Sequence, residues 1–448
     1  MTPTMPDVIP DTDPRLTLFS RFEQDSAQPK WLMNIRKSGL ARFSENGFPT
    51  LRDEDWKYTN IKAIAELPFK PVTELPASLP TAADLEKFHF LKASQTLLVF
   101  VDGQFAPTLS KLPPAQKGVL ITTIKEALTK MPELIEQKLS KLSTVDANGF
   151  TGLNTAYFED GVFIHVAASQ TVEQPVHALF ISSGKEAGAT ASTRNFIVAE
   201  NSSHVTYLEN YVSLGEAATL SNAVSEFFVG DNAHVEHLKF QEQDTNSFHI
   251  AGLYSEIGRA ARVWSHSIAL GAALSRNNIR TRLNGPGLQA VLNGLYLTHG
   301  KQLADHHMFV EHAAPNCDSH EYFNGILDDE SRGVFHGRIF VHRVAQKTDA
   351  KQTNKNLLLS DNARANTKPQ LEIYADDVKC THGATVGQMD DKAIFYLRAR
   401  GLPLEVARRM LMHAFAGEII ERVQHQTIRE ELDAIVWDRL EEKLATTN

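Results

Sequence analysis

The sequence predicts a mainly β protein: a parallel β-helix core set between an N-terminal helical and α/β region and C-terminal helices. Three observations carry that prediction. From about Asn154, more than 200 residues pass without a convincing amphipathic helix, and short apolar or alternating runs such as GVFIHVAA, HALFIS, NFIVAE and HVTYLENYV alternate with turn residues. The runs also repeat. Asn201–Val205, Asp231–Val235 and Arg259–Val263 each join a polar or small turn to a basic or imidazole residue and a valine, and a weaker copy ends at Ala290. The aligned ends at 205, 235, 263 and 290 give spacings of 30, 28 and 27. Finally, helical spacing returns after Gly387.

A period of short strands without intervening helices marks a stacked β architecture, because one rung cannot bury its apolar face alone. A two-sheet sandwich of long strands is the competing arrangement, and the period favours the coil. A core over 151–390 holds roughly eight rungs at about 4.8 Å each, an object on the order of 40 Å long. Residues 1–150 form the N-terminal helical and linker region, and 391–448 the C-terminal helical domain. Asp361–Ala365, DNARA, echoes the DNAHV of the second repeat.

The flanks are read from their own periods. Residues 1–14 are polar and proline-rich and predict disorder. Leu18, Phe22, Trp31, Ile35 and Leu40 predict helices broken near Pro29. Leu51–Ile61, LRDEDWKYTNI, places Trp56 and Tyr58 in a charged stretch and predicts a docked turn with aromatic anchors. Four prolines between 68 and 80 predict a linker or an extended wrapping segment. Leu97–Val101 reads as a strand and Asp102-Gly103 as a turn, followed by helices over Ile121–Lys130 and Pro132–Leu142. Beyond the core, Lys392–Arg400 ends at Gly401. Pro403 then opens a helix with Leu404, Ala407, Leu411, Phe415, Ile419 and Val423 on one face. Ile428–Leu444 forms the last helix, with Leu432, Ile435, Val436 and Leu440 aligned. This helical material is available to cap the open ends of a β coil.

Composition narrows the function. A net charge of -9 gives no support for nucleic-acid binding. Two cysteines, Cys317 and Cys380, cannot build a disulfide framework and suit a reducing compartment. The N-terminal stretch lacks a secretory pattern and no apolar run approaches 18 residues, so a cytoplasmic protein is expected. There is no phosphate-binding P-loop, no dinucleotide glycine fingerprint, no nucleophile elbow and no Cys-x-x-Cys. The adjacent acids Asp328-Asp329 and Asp376-Asp377 point to opposite strand faces and make no acid–base dyad.

Two constellations remain. Ala375–Gly387, ADDVKCTHGATVG, places Cys380 and His382 two apart, hence on one strand face. Thiolate and imidazole suit a soft or borderline metal, but two ligands do not close a site. Either the others come from a distant segment or another chain, or the cysteine packs as a small hydrophobe and no metal is held. The second constellation is Ala304–Phe323, with His306, His307, Glu311, His312, Cys317, Asp318 and His320. Its spacing matches no closed metal motif, and polar side chains on the outside of a β-solenoid are the simpler reading. A self-contained metalloenzyme built on His306–His320 is the alternative. A β-helical carbohydrate-active enzyme is a third reading, against which the missing secretion signal counts.

Several stretches together resemble the SufB/SufD family of the SUF iron–sulfur cluster assembly system, and its SufD branch most. They are RDEDWKYTNI, FHGRIFVHRVAQKTDAKQTNKNLLLS at Phe335–Ser360, PQLEIYADDVKCTHGATVG at Pro369–Gly387, and FYLRARG followed by Ala414-Phe415. The resemblance implies a right-handed parallel β-helix in a non-catalytic scaffold subunit. It implies pairing with SufB and binding of the ATPase SufC through the C-terminal helices, where Arg408, Arg409 and Phe415 are the expected contacts. It leaves open a homodimer of the isolated chain. His382 would hold a nascent iron–sulfur cluster together with a SufB cysteine, and Cys380 matches the motif cysteine. A reduced flavin is associated with such complexes, although no flavin motif is readable in this chain.

Overall fold

The structure is a computed structural model that describes residues 12–24, 28–92, 94–145 and 148–445. The disorder expected for 1–14 falls almost wholly outside them.

From Val162–Val166 to Lys379–Gly387 the chain winds through eight turns, each made of two strands. Consecutive strands alternate between two ten-stranded sheets, and within the coil each strand pairs in parallel with the strand one turn on. The core is therefore a solenoid with a flattened, two-sheeted cross-section. It shares facing sheets with the competing sandwich but not its connectivity.

The sequence repeat is one column of the second sheet. Val205, Val235, Val263 and Ala290 are successive cross-strand partners. The column continues through Ser319 and Ala350 to Cys380. Three residues before each of the first six positions the backbone turns into the left-handed region, at Ser202, Asn232, Ala260, Gly287, Asn316 and Lys347. Small or polar residues tolerate that conformation best, which explains the recurring turn composition. The DNARA echo lies elsewhere. Arg364 pairs with Arg332 on the first sheet, so this segment belongs to the opposite corner of the coil.

The start of the coil is capped by β structure. Val119–Thr123 adds antiparallel to Val162–Val166, and Thr96–Val101 pairs with Val176–Ser182 and turns through Asp102-Gly103 into Gln104–Phe105. Residues 121–123, expected as helix, are thus strand. The helix begins at Ile124, where the Thr123 hydroxyl accepts the Glu126 amide. The proline-rich segment wraps the coil: Lys70–Pro71 pairs with Ala189 and Thr190.

The helices cover faces rather than ends. Met412, Ala416, Ile419, Leu432, Val436 and Leu440 of Leu404–Ile420 and Gln426–Ala445 pack on Leu238, Phe240, Ile268, Leu295 and Ile326 of the second sheet. Trp56, Ile61, Ile64 and Phe150 pack on Leu220, Phe248, Ile250 and Leu274 of the first. Trp56 is the anchor the sequence predicted, but Tyr58 is 40% exposed and anchors nothing. Consequently the last turn, Arg364–Ile373 with Lys379–Gly387, has no further strand beside it among the described residues, and nearly every residue of Lys379–Gly387 is exposed. Such an edge presents unpaired backbone donors and acceptors.

Candidate functional site

Cys380 and His382 lie on that final strand, in register with Ala350 and Gln352. Both belong to inward-facing columns. Ala350 is fully buried, and Cys380 packs half-buried against the coil's apolar core. Burial pushes the Cys380 thiol up, and the nearby Asp349 carboxylate adds to the shift. The thiol therefore stays protonated at neutral pH, which makes it a weak metal ligand until a cation displaces the proton.

His382 ends a different column: Tyr207, His237, Ser265, Leu292, Glu321, Gln352 and His382. With no turn stacked beyond it, the imidazole is exposed, and it makes no side-chain hydrogen bond or ion pair among the described residues. The groups beneath it are polar and enclosed. The Gln352 amide donates to Glu321 Oε2 at 2.6 Å, and Gly337 on the facing sheet leaves the space it occupies, since a Cβ there would lie 2.1 Å from Gln352 Nε2. Burial raises the Glu321 carboxyl to about 8. An uncharged acid and an amide thus lie in register beneath an exposed imidazole, which with the Cys380 sulfur could give a borderline metal two ligands, short of the number that would close a site.

The second constellation does not converge. His306 and His312 point into the coil, where their Nε2 atoms lie 3.2 Å from Ser267 Oγ and 2.8 Å from Ser319 Oγ. Cys317 is also buried, its thiol donating to Gly285 O at 3.2 Å. Only part of the cluster follows the expectation of an outward polar face: His307, Glu311, Asp318 and His320 do so, with Glu311 accepting from His342 Nε2 at 2.8 Å. The interior accepts the two buried rings because other strands of the coil place a hydroxyl within reach of one nitrogen of each.

The expected docking residues are unequal. Arg409 Nη1 lies 2.6 Å from Glu441 and its guanidinium covers the Trp437 ring, so this side chain joins the two C-terminal helices to each other. Phe415 is partly buried against the second-sheet cluster. Arg408 is more exposed, with Glu405 at 3.9 Å. The helix Asp391–Arg398 buries no residue, and its Phe395 and Tyr396 are 74% and 57% exposed, the largest apolar display near the C-terminus.

Fold and site together define a class: parallel β-solenoid proteins whose open last turn carries a half-buried cysteine and an exposed histidine on one strand face. Residues 180–415 match the family described as SUF system FeS cluster assembly, SufBD core domain, and residues 16–178 match the SufBD protein N-terminal region. The chain belongs to the SufBD family, and its role lies in SUF iron–sulfur cluster assembly. A SufBD family iron–sulfur cluster assembly protein of Synechocystis is 33% identical over 401 residues, covering 88% of this chain and 87% of the relative. The iron–sulfur cluster assembly protein SufD of Escherichia coli is 32% identical over 404 residues, covering 90% and 91%. SufD of Bacillus subtilis is 26% identical over 426 residues, covering 93% and 95%. The metalloenzyme alternative is not favoured. No helix among the described residues is long and apolar enough to cross a membrane.

Proposed function

We propose that this protein is a SufD-type scaffold subunit, itself without catalytic activity, that joins a SufB-type subunit through the open turn and shares a nascent iron–sulfur cluster with it. The observation that carries the reading is the exposed His382 imidazole at an unpaired strand edge. The edge supplies backbone hydrogen bonds to a partner strand, and the imidazole supplies one ligand to the cargo, with a SufB cysteine among the others. Cys380 serves first as packing at the coil mouth. An ATPase of the SufC type binds residues 391–448, where Phe395, Tyr396 and Arg408 are the accessible contacts and Arg409 holds the helices that present them. The setting is cytoplasmic.

The test is His382→Ala in a complex reconstituted with SufB-type and SufC-type partners under anaerobic conditions. The variant keeps the wild-type melting transition and assembles the complex, while cluster absorbance and bound iron and sulfide fall. An undiminished cluster yield would remove His382 from the reading.

A further inference from the structure

The outer face of the first sheet carries a second group of donors, one strand in from the last turn and on the sheet opposite Cys380 and His382. His307 and His336 are direct cross-strand partners on adjacent turns, with ring centroids 4.7 Å apart. Against them sits Asp55, from the short Glu54–Trp56 turn of the N-terminal region. We propose that Asp55, His307 and His336 bind one borderline divalent cation, of the zinc and ferrous class, which ties the N-terminal turn to the solenoid.

The three residues each offer one ligand atom within 4.8 Å of the others. The polarity of the group asks for a positive centre. His336 Nε2 lies 2.8 Å from Gln370 Oε1 and donates to it, which leaves Nδ1 as a lone pair. That lone pair faces Asp55 Oδ1 at 3.6 Å, so two acceptors confront each other. An ion ~2.1 Å from each would subtend roughly 120°, within the range of tetrahedral and trigonal sites. A proton between Asp55 and His336 would satisfy that pair alone. It would leave the second imidazole, with a ring nitrogen within 4.8 Å of both other ligand atoms, outside the arrangement.

The surroundings are built. Asp305, fully buried, sets Oδ1 3.2 Å from His307 Nε2. A buried carboxylate at that ion-pair distance favours a proton on Nε2, which leaves His307 Nδ1 for a metal. Its Oδ2 is held by Thr59 and, at 2.7 Å, by Arg276. Asp55 does not hang on a loose loop. Its carbonyl accepts from Arg276 Nη1 at 2.8 Å, and the neighbouring Trp56 ring lies between Phe150 and the Arg276 guanidinium, 3.5 Å away. Lys368, in register with His336, has its ammonium paired with Glu54, so its charge is offset at the site. The Asp55 carboxylate is 69% exposed, which leaves the remaining coordination positions open to solvent. Two imidazoles and one carboxylate with open positions suit zinc or ferrous iron, not calcium or magnesium. The site needs no partner subunit and is independent of the cluster-sharing reading.

The test is titration of the chelator-treated full chain with cobalt(II), followed by competition with zinc and, anaerobically, with ferrous iron. One equivalent of cobalt is expected, with ligand-field bands and no sulfur-to-cobalt charge transfer. Asp55→Asn, at an exposed position, should keep the fold by circular dichroism and weaken binding at least about tenfold. The double variant His307→Gln with His336→Gln should abolish it. Zinc should also slow amide exchange over residues 52–58 in the wild type but not in Asp55→Asn. Three results would each overturn the proposal: no saturation below about 100 µM cobalt, binding in the double variant equal to wild type, or bands that vanish in Cys380→Ser.

Discussion

Glu321→Gln isolates the buried acid two turns beneath the exposed histidine, below Gln352. In the folded chain burial holds this carboxyl at about 8, against an ordinary carboxyl value of 4.5. Between those values the native state keeps a proton that the unfolded chain has released. Stability must therefore fall as pH rises through that window. The full contribution is present below about 4.5 and is lost as pH approaches about 8, where the curve flattens. The slope is ~1.4 kcal/mol per pH unit for one proton, so the accumulated loss by pH 7.5 is on the order of 4 kcal/mol. Glutamine has the same shape, stays neutral and can still accept the Gln352 amide that Glu321 accepts at 2.6 Å. The variant should match wild type near pH 5 and become more stable by roughly 3–4 kcal/mol near pH 7.5. Denaturant midpoints and amide exchange over Asp318–Leu327, measured on both proteins from pH 5 to 8.5, read this directly. The comparison of two profiles cancels the other buried acids, Asp160 and Glu242, whose carboxyls are also raised. Exchange also reports the last turns themselves, because a stacked repeat need not unfold as one unit. Two parallel profiles would refute the reasoning: Glu321 would then not be a buried neutral acid.

Three further outcomes follow from the same packing. Gly337→Ala forces a methyl group into the Gln352 amide and should cost ~1–3 kcal/mol, read as a lowered melting temperature; an unchanged transition would mean that the facing sheet yields freely. Arg276→Ala strands the Asp305 carboxylate in a fully buried position and should cost ~3–5 kcal/mol by chemical denaturation, whereas a loss below about 1 kcal/mol would show that Asp305 finds another partner. Phe395→Ala with Tyr396→Ala should leave the melting temperature unchanged, since neither side chain is buried, while reducing capture of a SufC-type ATPase in a pull-down; equal capture would move the docking surface elsewhere.

Several features were legible because they are short-range. A strand alternates its faces every two residues, so the pairing of Cys380 with His382 on one face needed no tertiary knowledge. The left-handed corner restricts which residues turn the chain, so the column from Val205 to Ala290 shows in the sequence as a repeat and ends, in the structure, at Cys380. The helix faces at Leu432, Ile435, Val436 and Leu440 follow from the same kind of local period, and all four are buried.

What the chain alone could not decide is which side of each strand is the inside, and who meets whom across turns. Polar rings usually stay in water, yet His306 and His312 lie inside the coil, where Ser267 from an earlier turn and Ser319 from the next strand each bond one ring nitrogen. Arg409 looked like a free docking charge until the last helix brought Glu441 and Trp437 against it. Asp55 and His336 share no local pattern at all; the stacking of the coil and the docking of Trp56 bring them together. The sequence by itself determined the period, the turns and the paired donors, since these are set by backbone sterics over a few residues. Only the tertiary structure decided burial, charge pairing and the open last turn, since each depends on partners distant along the chain.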